Sequence, residues 1–415
     1  MTTLEFNQRK QTLHGLAEAM ERPAFQNAFL RAYGEETQFV LKDIIAREIA
    51  APIALLRKNR EEEALLIGRN PLSKVAVMMP KNGLGLTLVK AVASAYLMGN
   101  QVVVYFPSAL QKTAEIYRDL MVPLLTGVTL AERGQSGVSF LQACFHDPEI
   151  QAVVIYGDDA WIEAYRPLAE QTGTKFIFEG PGNDPLVVMP DADLDEAVEG
   201  CIAGGLNNGG QSCSALERFF VHGSVYAEFS KRLIRRVHSL TLGDPQWAKT
   251  DIGPMVSDVV RARISAQVAG AKAAGATLEL GGGEVLEPRT GLTIVEPTVL
   301  TGCRVDMDVV ARETFGPVFP LVSFSGTEDL IAMIDQAEYG LNAAHYGTAP
   351  EGLVDHLNAT HRNVYANSHA ASACNLGTRL MDGGFRRSAL IWDFNADEPV
   401  RSGRRHLTVE LSRAA

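Results

Sequence analysis

The chain has 415 residues, 46% of them hydrophobic and 21% charged, with 37 glycines and 19 prolines scattered along its length; this excludes a collagenous or intrinsically disordered protein. A formal net charge of −11 and an isoelectric point near 5.4 exclude the broad basic face that nucleic-acid binding requires. At about 150 residues per domain, the length predicts two or three compact units, enough to enclose a cleft.

Residues 1–25 carry charges throughout and lack the apolar core of a secretion signal. No window approaches the roughly 18 consecutive apolar residues of a membrane span, so the expectation is a cytoplasmic protein with no membrane partner. Apolar residues at helical spacing predict successive helices over 3–67. They end in the charged run Arg57-Lys58-Asn59-Arg60-Glu61-Glu62-Glu63, expected to form a solvated face. The pattern then changes to short apolar runs at 74–80, 101–105, 152–156 and 175–178, separated by predicted helices over 86–96, 110–122 and 159–171. Continuous apolar strands alternating with helices predict a parallel sheet covered on both faces, with nucleotide ligands favouring its carboxyl edge. A second series over 186–347 includes a helix at 256–274 and the turn Gly281-Gly282-Gly283, and predicts a second α/β unit. The tail His406-Leu407-Thr408-Val409-Glu410-Leu411 alternates like a half-buried strand, which pairs with another subunit or packs on its own domain.

The five cysteines (Cys144, Cys201, Cys213, Cys303 and Cys374) are odd in number and lack CxxC or Cys/His spacing. Neither a disulfide framework nor a metal site is expected, and the thiols read as reduced. Cys213 stands out because it follows Asn208-Gly209-Gly210-Gln211-Ser212, whose small residues leave room for a substrate to reach the sulfur. Upstream lie Glu179-Gly180-Pro181-Gly182-Asn183-Asp184-Pro185 and Asp191-Ala192-Asp193-Leu194. A free thiol is only roughly 3% ionised at neutral pH, so a catalytic role requires an activating environment, and neither flank of Cys213 supplies a His or Lys.

These segments resemble the aldehyde dehydrogenase superfamily, whose pattern is Glu-x-Gly-Gly-x-x-Pro, then Asp-Ala-Asp-Leu, then Asn-x-Gly-Gln-x-Cys. Pro181 replaces the first glycine of that pair. Further matches follow in family order: Pro80-Lys81-Asn82, Met98-Gly99-Asn100-Gln101-Val102-Val103 and Glu313-Thr314-Phe315-Gly316-Pro317. With weaker echoes as far as Gly383-Gly384-Phe385, they span about residues 69–390. Taken singly, Asn82 reads as a turn residue, Glu179 as a capping or surface carboxylate, and 313–317 as a turn around a buried aromatic. Their collinearity favours a shared active site.

The resemblance implies an aldehyde dehydrogenase-like α/β fold: two α/β domains with parallel-rich sheets and a small oligomerisation element. Residues 1–180 would form the dinucleotide-binding-like domain, with a short oligomerisation segment near 57–73, and 181–370 the catalytic domain carrying Cys213. Residues 371–415 would return to the first domain, with an oligomerisation strand near 405–412. The family roles make Cys213 the nucleophile, Asn82 an oxyanion donor and Glu179 the base for thioester hydrolysis. Pro80, Lys81, Gly157, Glu313 and Phe315 would contact the cofactor, NAD or NADP, and the substrate would be a small aldehyde. A homodimer or homotetramer is implied. Alternatives are a CoA-acylating or reductive acyl-thioester enzyme, or a family-derived binding or acyl-transfer protein without dinucleotide.

Two departures bear on the cofactor. The family's ribose-contacting Lys and Glu are Phe106 and Ala109 here, so the sequence does not choose between NAD and NADP. After the third strand, Tyr156-Gly157-Asp158-Asp159 replaces Thr-Gly-Ser, and the two aspartates are expected to cap the following helix and to repel a phosphate there. His369 reads as a solvent-exposed loop residue, with a substrate contact as its alternative.

Overall fold

The computed structural model describes the whole chain except residues 59, 60, 160, 256, 373, 374, 376, 378, 382, 404–406 and 415, and the side chains of Glu61 and Glu62. Cys374 and His406 therefore lie outside the described residues. The N-terminal helices are Thr3–Glu21 and Pro23–Thr37. The first is fixed by a capping box, in which Thr2 Oγ1 accepts from the Glu5 N–H at 3.2 Å and Glu5 Oε2 accepts from the Thr2 N–H at 2.7 Å. The second starts on a proline whose missing N–H costs nothing there. A third helical stretch runs from Leu41 to Arg57 and contains a π-helical turn, Ile44–Ala50.

The expected strands form as Lys74–Met78, Gln101–Tyr105, Ile150–Tyr156 and Lys175–Glu179. They pair in parallel, with Lys74–Met78 between the second and third. Their apolar continuity reflects burial on both faces: Val75, Val77, Val102, Val104, Val154 and Ile177 are fully enclosed. Val128–Leu130 extends one edge of the sheet. On the other side Ala389–Trp392 adds antiparallel to Lys175–Glu179 and Val400–Arg401 pairs beyond it as the seventh strand, bringing the C-terminal part of the chain back to the first sheet.

The second sheet also has seven strands, in the order Asn363–Ala366, Asn342–Tyr346, Asp184–Val188, Leu216–His222, Val318–Phe324, Thr298–Thr301 and Thr277–Leu280. All neighbours are parallel except the last pair. The chain crosses from the first sheet to the second in the four residues between Glu179 and Asp184.

Three expectations are corrected. The 159–171 region forms a 3-10 turn at Ile162–Tyr165 and an α-helix only from Arg166 to Thr172. Over 407–411 the tail is not the expected strand: Leu407–Glu410 is a helical turn, and the strand is Ser412–Ala414, paired with Arg69–Pro71 of the same chain. Leu407 and Leu411 are both buried, and their four-residue spacing suits a helix face rather than an alternating strand. The charged run is also not uniformly solvated. Glu63 is buried against Arg379, which is fully enclosed and also donates to the Leu56 carbonyl at 2.9 Å.

The helix that follows Asn82 contains a second π-helical turn, Leu88–Ala93, between Leu84–Thr87 and Ser94–Leu97. It packs closely on the Leu41–Arg57 stretch because Gly85 has no side chain. A Cβ there would lie 2.4 Å from the Glu48 carbonyl oxygen and 2.7 Å from Pro52 Cγ. Gly85→Ala is therefore expected to destabilise the protein by about 1–3 kcal/mol through overpacking, read as a lower urea midpoint. An unchanged midpoint would show that the two helices separate freely.

Candidate active site

Cys213 ends a loop shaped by three successive residues in left-handed conformation: Asn208 (φ 51°), Gly209 (φ 66°) and Gly210 (φ 81°). The loop is gripped from several directions. Asp43 Oδ2 accepts the Asn208 N–H at 3.0 Å, and Gln211 Nε2 donates to the Asn208 carbonyl at 2.8 Å. A Cβ on Gly210 would sit 2.4 Å from the Gly316 carbonyl oxygen, and one on Gly182 only 1.9 Å from that of Cys213. The small residues around Cys213 thus permit close backbone packing.

Asn82 comes from the turn after the first parallel strand, and its Nδ2 donates to the Gln211 carbonyl at 3.2 Å. The turn is anchored by Glu48, a buried carboxylate in the first π-helical segment. Glu48 accepts the Gly83 N–H at 2.9 Å, the Gly85 N–H at 2.6 Å and the Tyr33 hydroxyl at 3.2 Å. Burial pushes the Glu48 carboxyl up, and these donors oppose the shift.

Asn82, Glu179 and Cys213 open onto one cavity of about 390 Å³, which Pro80, Gly157, Glu313 and Phe315 also line. Of the sequence candidates, Lys81 is not part of this wall; it is half-buried, and its carbonyl accepts from Tyr33 Oη at 2.8 Å. Glu313 accepts the Gly182 N–H at 3.2 Å. Phe315 adopts a left-handed φ of 57°, stabilised by Glu217, whose carboxylate accepts the Thr314 and Phe315 N–H groups at 2.9 and 2.6 Å. Burial raises both the Glu217 and Glu313 carboxyls, while Arg263 acts against the shift in each.

The two aspartates expected as helix caps are ion-paired instead. Asp158 Oδ2 lies 3.7 Å from an Arg263 terminal nitrogen, and Asp159 accepts from Arg387 Nε and, at 3.5 Å, from the Tyr339 hydroxyl. The charge expected to repel a phosphate at Asp158 therefore has a cation beside it. His369 is half-buried rather than solvent-exposed, and its Nδ1 has no hydrogen-bond partner among the described residues. Burial first, and then Arg47, lowers its pKa.

Directly after the strand Gln101–Tyr105, Phe106 is buried and stacks on Tyr117 with ring centres 5.7 Å apart, whereas Ala109 is exposed. The adjoining helix Gln111–Met121 has its first turn engaged by Glu36, which accepts from the Lys112 and Thr113 N–H groups at 2.7 and 3.0 Å. In the Asp191-Ala192-Asp193-Leu194 segment the carboxylates are structural: Asp193 caps the helix Leu194–Gly205, and Asp191 accepts the Thr348 N–H at 3.0 Å.

Sequence reasoning missed Arg47, Lys90, Arg263 and Arg362, which also line the cavity. It also missed the supporting carboxylates Asp43, Glu48 and Glu217. One signal was present: Glu217-Arg218 interrupts the apolar strand run Leu216–His222, and charges inside a buried strand need a specific reason to be there.

Burial pushes the Cys213 thiol up to about 12, with the Glu313 charge adding to the shift and Arg362 opposing it. At rest the sulfur is therefore protonated, although the residue is partly open to the cavity.

The sequence profile of the aldehyde dehydrogenase family matches residues 1–391. A succinate-semialdehyde dehydrogenase (NADP+) from Mycobacterium leprae is 28% identical over 81% of this chain and 76% of its own length. Its counterpart from Mycobacterium avium is 30% identical over 77% of this chain and 66% of its own. Among solved structures, betaine aldehyde dehydrogenase from Staphylococcus aureus superposes with a TM-score of 0.83 at 22% identity, over 100% of this chain and 83% of that one. The NAD-dependent aldehyde dehydrogenase from Sinorhizobium meliloti gives 0.82 at 24% identity, over 100% and 84%. These structural likenesses speak to the fold.

The high thiol pKa makes a direct prediction. In the ligand-free protein, iodoacetamide labelling of Cys213 should climb about tenfold per pH unit from pH 7 to 10 without levelling, because the thiolate fraction is still rising throughout. A plateau below pH 9 would mean that the folded site activates the sulfur unaided.

Proposed function

The chain belongs to the aldehyde dehydrogenase family, and on that premise we propose that it oxidises an aldehyde to a carboxylic acid through a thioester on Cys213, with NAD or NADP as the electron acceptor. The observation that carries this reading is the convergence of Cys213, Asn82, Glu179 and Glu313 on one cavity.

The cavity residues fit a nicotinamide. Glu313 is tied to the Gly182 N–H rather than turned to solvent, and the strained Phe315 backbone brings that residue into the wall beside Gly157 and Pro80. A bound nicotinamide supplies the hydride acceptor; all other steps fall to the chain. The Cys213 thiol gives up its proton to solvent water, and its sulfur attacks the carbonyl carbon, moving the carbonyl electron pair onto oxygen to form a tetrahedral thiohemiacetal. Asn82 Nδ2 and the Cys213 N–H are the donors for the oxygen that becomes negative, and losing one such donor costs roughly 3 kcal/mol of transition-state stabilisation. Departure of hydride leaves a thioester. Glu179 takes a proton from water, hydroxide adds to the acyl carbon, and collapse releases the carboxylic acid and restores the sulfur. The balance is one hydride leaving the aldehyde carbon, one water consumed and one proton released to solvent, while the proton that Glu179 takes from water returns to the departing sulfur.

Purified protein should reduce NAD or NADP with an aldehyde, followed by the absorbance of the reduced nicotinamide. Cys213→Ala should remove all turnover, and activity surviving in that variant would sink the mechanism. Glu179→Gln should slow steady turnover roughly 100- to 10,000-fold while still releasing one equivalent of reduced nicotinamide in the first turnover. Loss of that first equivalent as well would assign Glu179 to proton removal from sulfur instead of hydrolysis.

A further inference from the structure

The oxidation chemistry leaves one charge in the middle of an apolar strand without a role. Glu217 stands in Leu216–His222, between Asp184–Val188 and Val318–Phe324 in the second sheet, and only 3% of it is exposed. Burial pushes its carboxyl up, which reflects the cost of keeping it there. An apolar side chain would serve the sheet better. The cost is offset by two main-chain donors, the Thr314 N–H at 2.9 Å and the Phe315 N–H at 2.6 Å. These are the two residues that follow Glu313, so the carboxylate grips the 313–315 turn by its backbone.

That turn needs a grip. Phe315 has a φ of 57°, a conformation that crowds Cβ against the backbone in any residue but glycine. The grips on its other side are longer: Gln267 Nε2 reaches the Glu313 carbonyl and an Arg263 terminal nitrogen the Thr314 carbonyl, each at 3.4 Å, from one face of the helix Asp258–Ala273. With the main chain held in this way, the Glu313 and Phe315 side chains are left to line the cavity. Glu217 lies four residues beyond Cys213, which lines the same cavity. On the other side of Cys213, a Cβ on Gly210 would be 2.4 Å from the Gly316 carbonyl oxygen. Cys213 and the 313–315 turn are thus joined twice, by backbone packing before the cysteine and by the Glu217 carboxylate after it.

We propose that Glu217 is a positioning residue for the nicotinamide side of the cavity: it holds the 313–315 turn in its left-handed form and in register with Cys213. This rests on the aldehyde oxidation proposed above and adds the residue that sets the cofactor wall. Glu217 is not itself part of that wall, so it acts through the turn.

Two measurements on Glu217→Gln test this, after circular dichroism confirms folding. The amide that replaces one carboxylate oxygen sets an N–H against an N–H, so one of the two bonds is lost. In the ligand-free protein, hydrogen exchange at the 314 and 315 amides should quicken roughly tenfold, the scale of one hydrogen bond to a charged group, and unchanged exchange would overturn the proposal. The dissociation constants of NADH and NADPH, titrated calorimetrically, should rise by a similar factor for whichever binds, because only the held turn is competent. Phe315→Gly separates positioning from general stability. Glycine adopts a left-handed φ unaided, so in that background Glu217→Gln should weaken binding less than about threefold. A full tenfold loss there would show Glu217 serving the sheet instead of the turn, and would overturn the proposal. Dinucleotide binding that ignores Glu217→Gln would overturn it while leaving the oxidation intact. No dinucleotide binding by the wild type would instead sink the oxidation, and with it the role given to this turn. Should Glu217→Gln not fold, Glu217→Asp, whose carboxylate is withdrawn by one methylene, decides by the same two measurements, and unchanged exchange with unchanged affinity would overturn the proposal.

Discussion

The site is organised around a contact in which a side chain cannot exist. Gly182 approaches the Cys213 carbonyl so closely that a Cβ would lie 1.9 Å away, and its own N–H is bonded to Glu313 at 3.2 Å. It stands in the short crossover that carries the chain from the first sheet to the second. One backbone position therefore fixes the relation between the two sheets, the Cys213 loop and the Glu313 loop. The left-handed run Asn208-Gly209-Gly210 follows from that constraint, because the Cys213 loop must fold back beneath the crossover and against Gly316. Proline in place of the family's first glycine, at 181, is compatible with it: the Pro181 carbonyl accepts from Ser388 Oγ at 2.8 Å, and the close approach is left to Gly182.

The electrostatics of the cavity follow from burial more than from any single pair. Asp43 is pushed up to about 6 and Asp184 to about 7, in both cases chiefly by desolvation. Both carboxylates act as backbone acceptors, Asp43 for Asn208 and Asp184 for Asn342 at 2.9 Å, so they trade some stability for position. A carboxyl whose folded-state pKa is raised favours the folded state below its ordinary pKa, and that contribution is lost as pH rises through the raised value. For Asp43 the window runs from about 4 to about 6, and for Asp184 from about 4 to about 7. The site is thus held in neutral solution at a cost that hydrogen bonds offset. The same desolvation pushes the Cys213 thiol up, toward the protonated form that is slower to oxidise.

Strands were legible because burial on both faces leaves a continuous apolar signature, and the runs at 74–80, 101–105, 152–156 and 175–178 lie close to the strands that form. The residues that meet at the cavity, Cys213, Asn82 and Glu313, were legible as short motifs in order. What sequence could not supply was pairing at long range. Glu63 and Arg379 stand 316 residues apart, and nothing local distinguishes Glu63 from its solvated neighbours. Asp158 and Asp159 looked like caps because their partners, Arg263 and Arg387, come from remote segments. The π-turns were equally hidden, since one extra residue in a helical turn leaves the apolar spacing almost unchanged, yet it redirects Arg47 and Lys90. The tail misled because Leu407, Val409 and Leu411 satisfy an alternating pattern and a helical one together over so short a span.

The antiparallel pairing of Ala389–Trp392 with Lys175–Glu179 has a consequence for how the protein is made. During synthesis the Lys175–Glu179 edge of the first sheet lacks its partner strand until more than two hundred further residues have left the ribosome. Through that interval a strand containing Phe176, Ile177 and Phe178 presents unpaired backbone groups, the kind of edge that recruits other chains. The nascent chain therefore carries an open strand edge while the whole second sheet is being made, an exposure set by connectivity rather than by final stability.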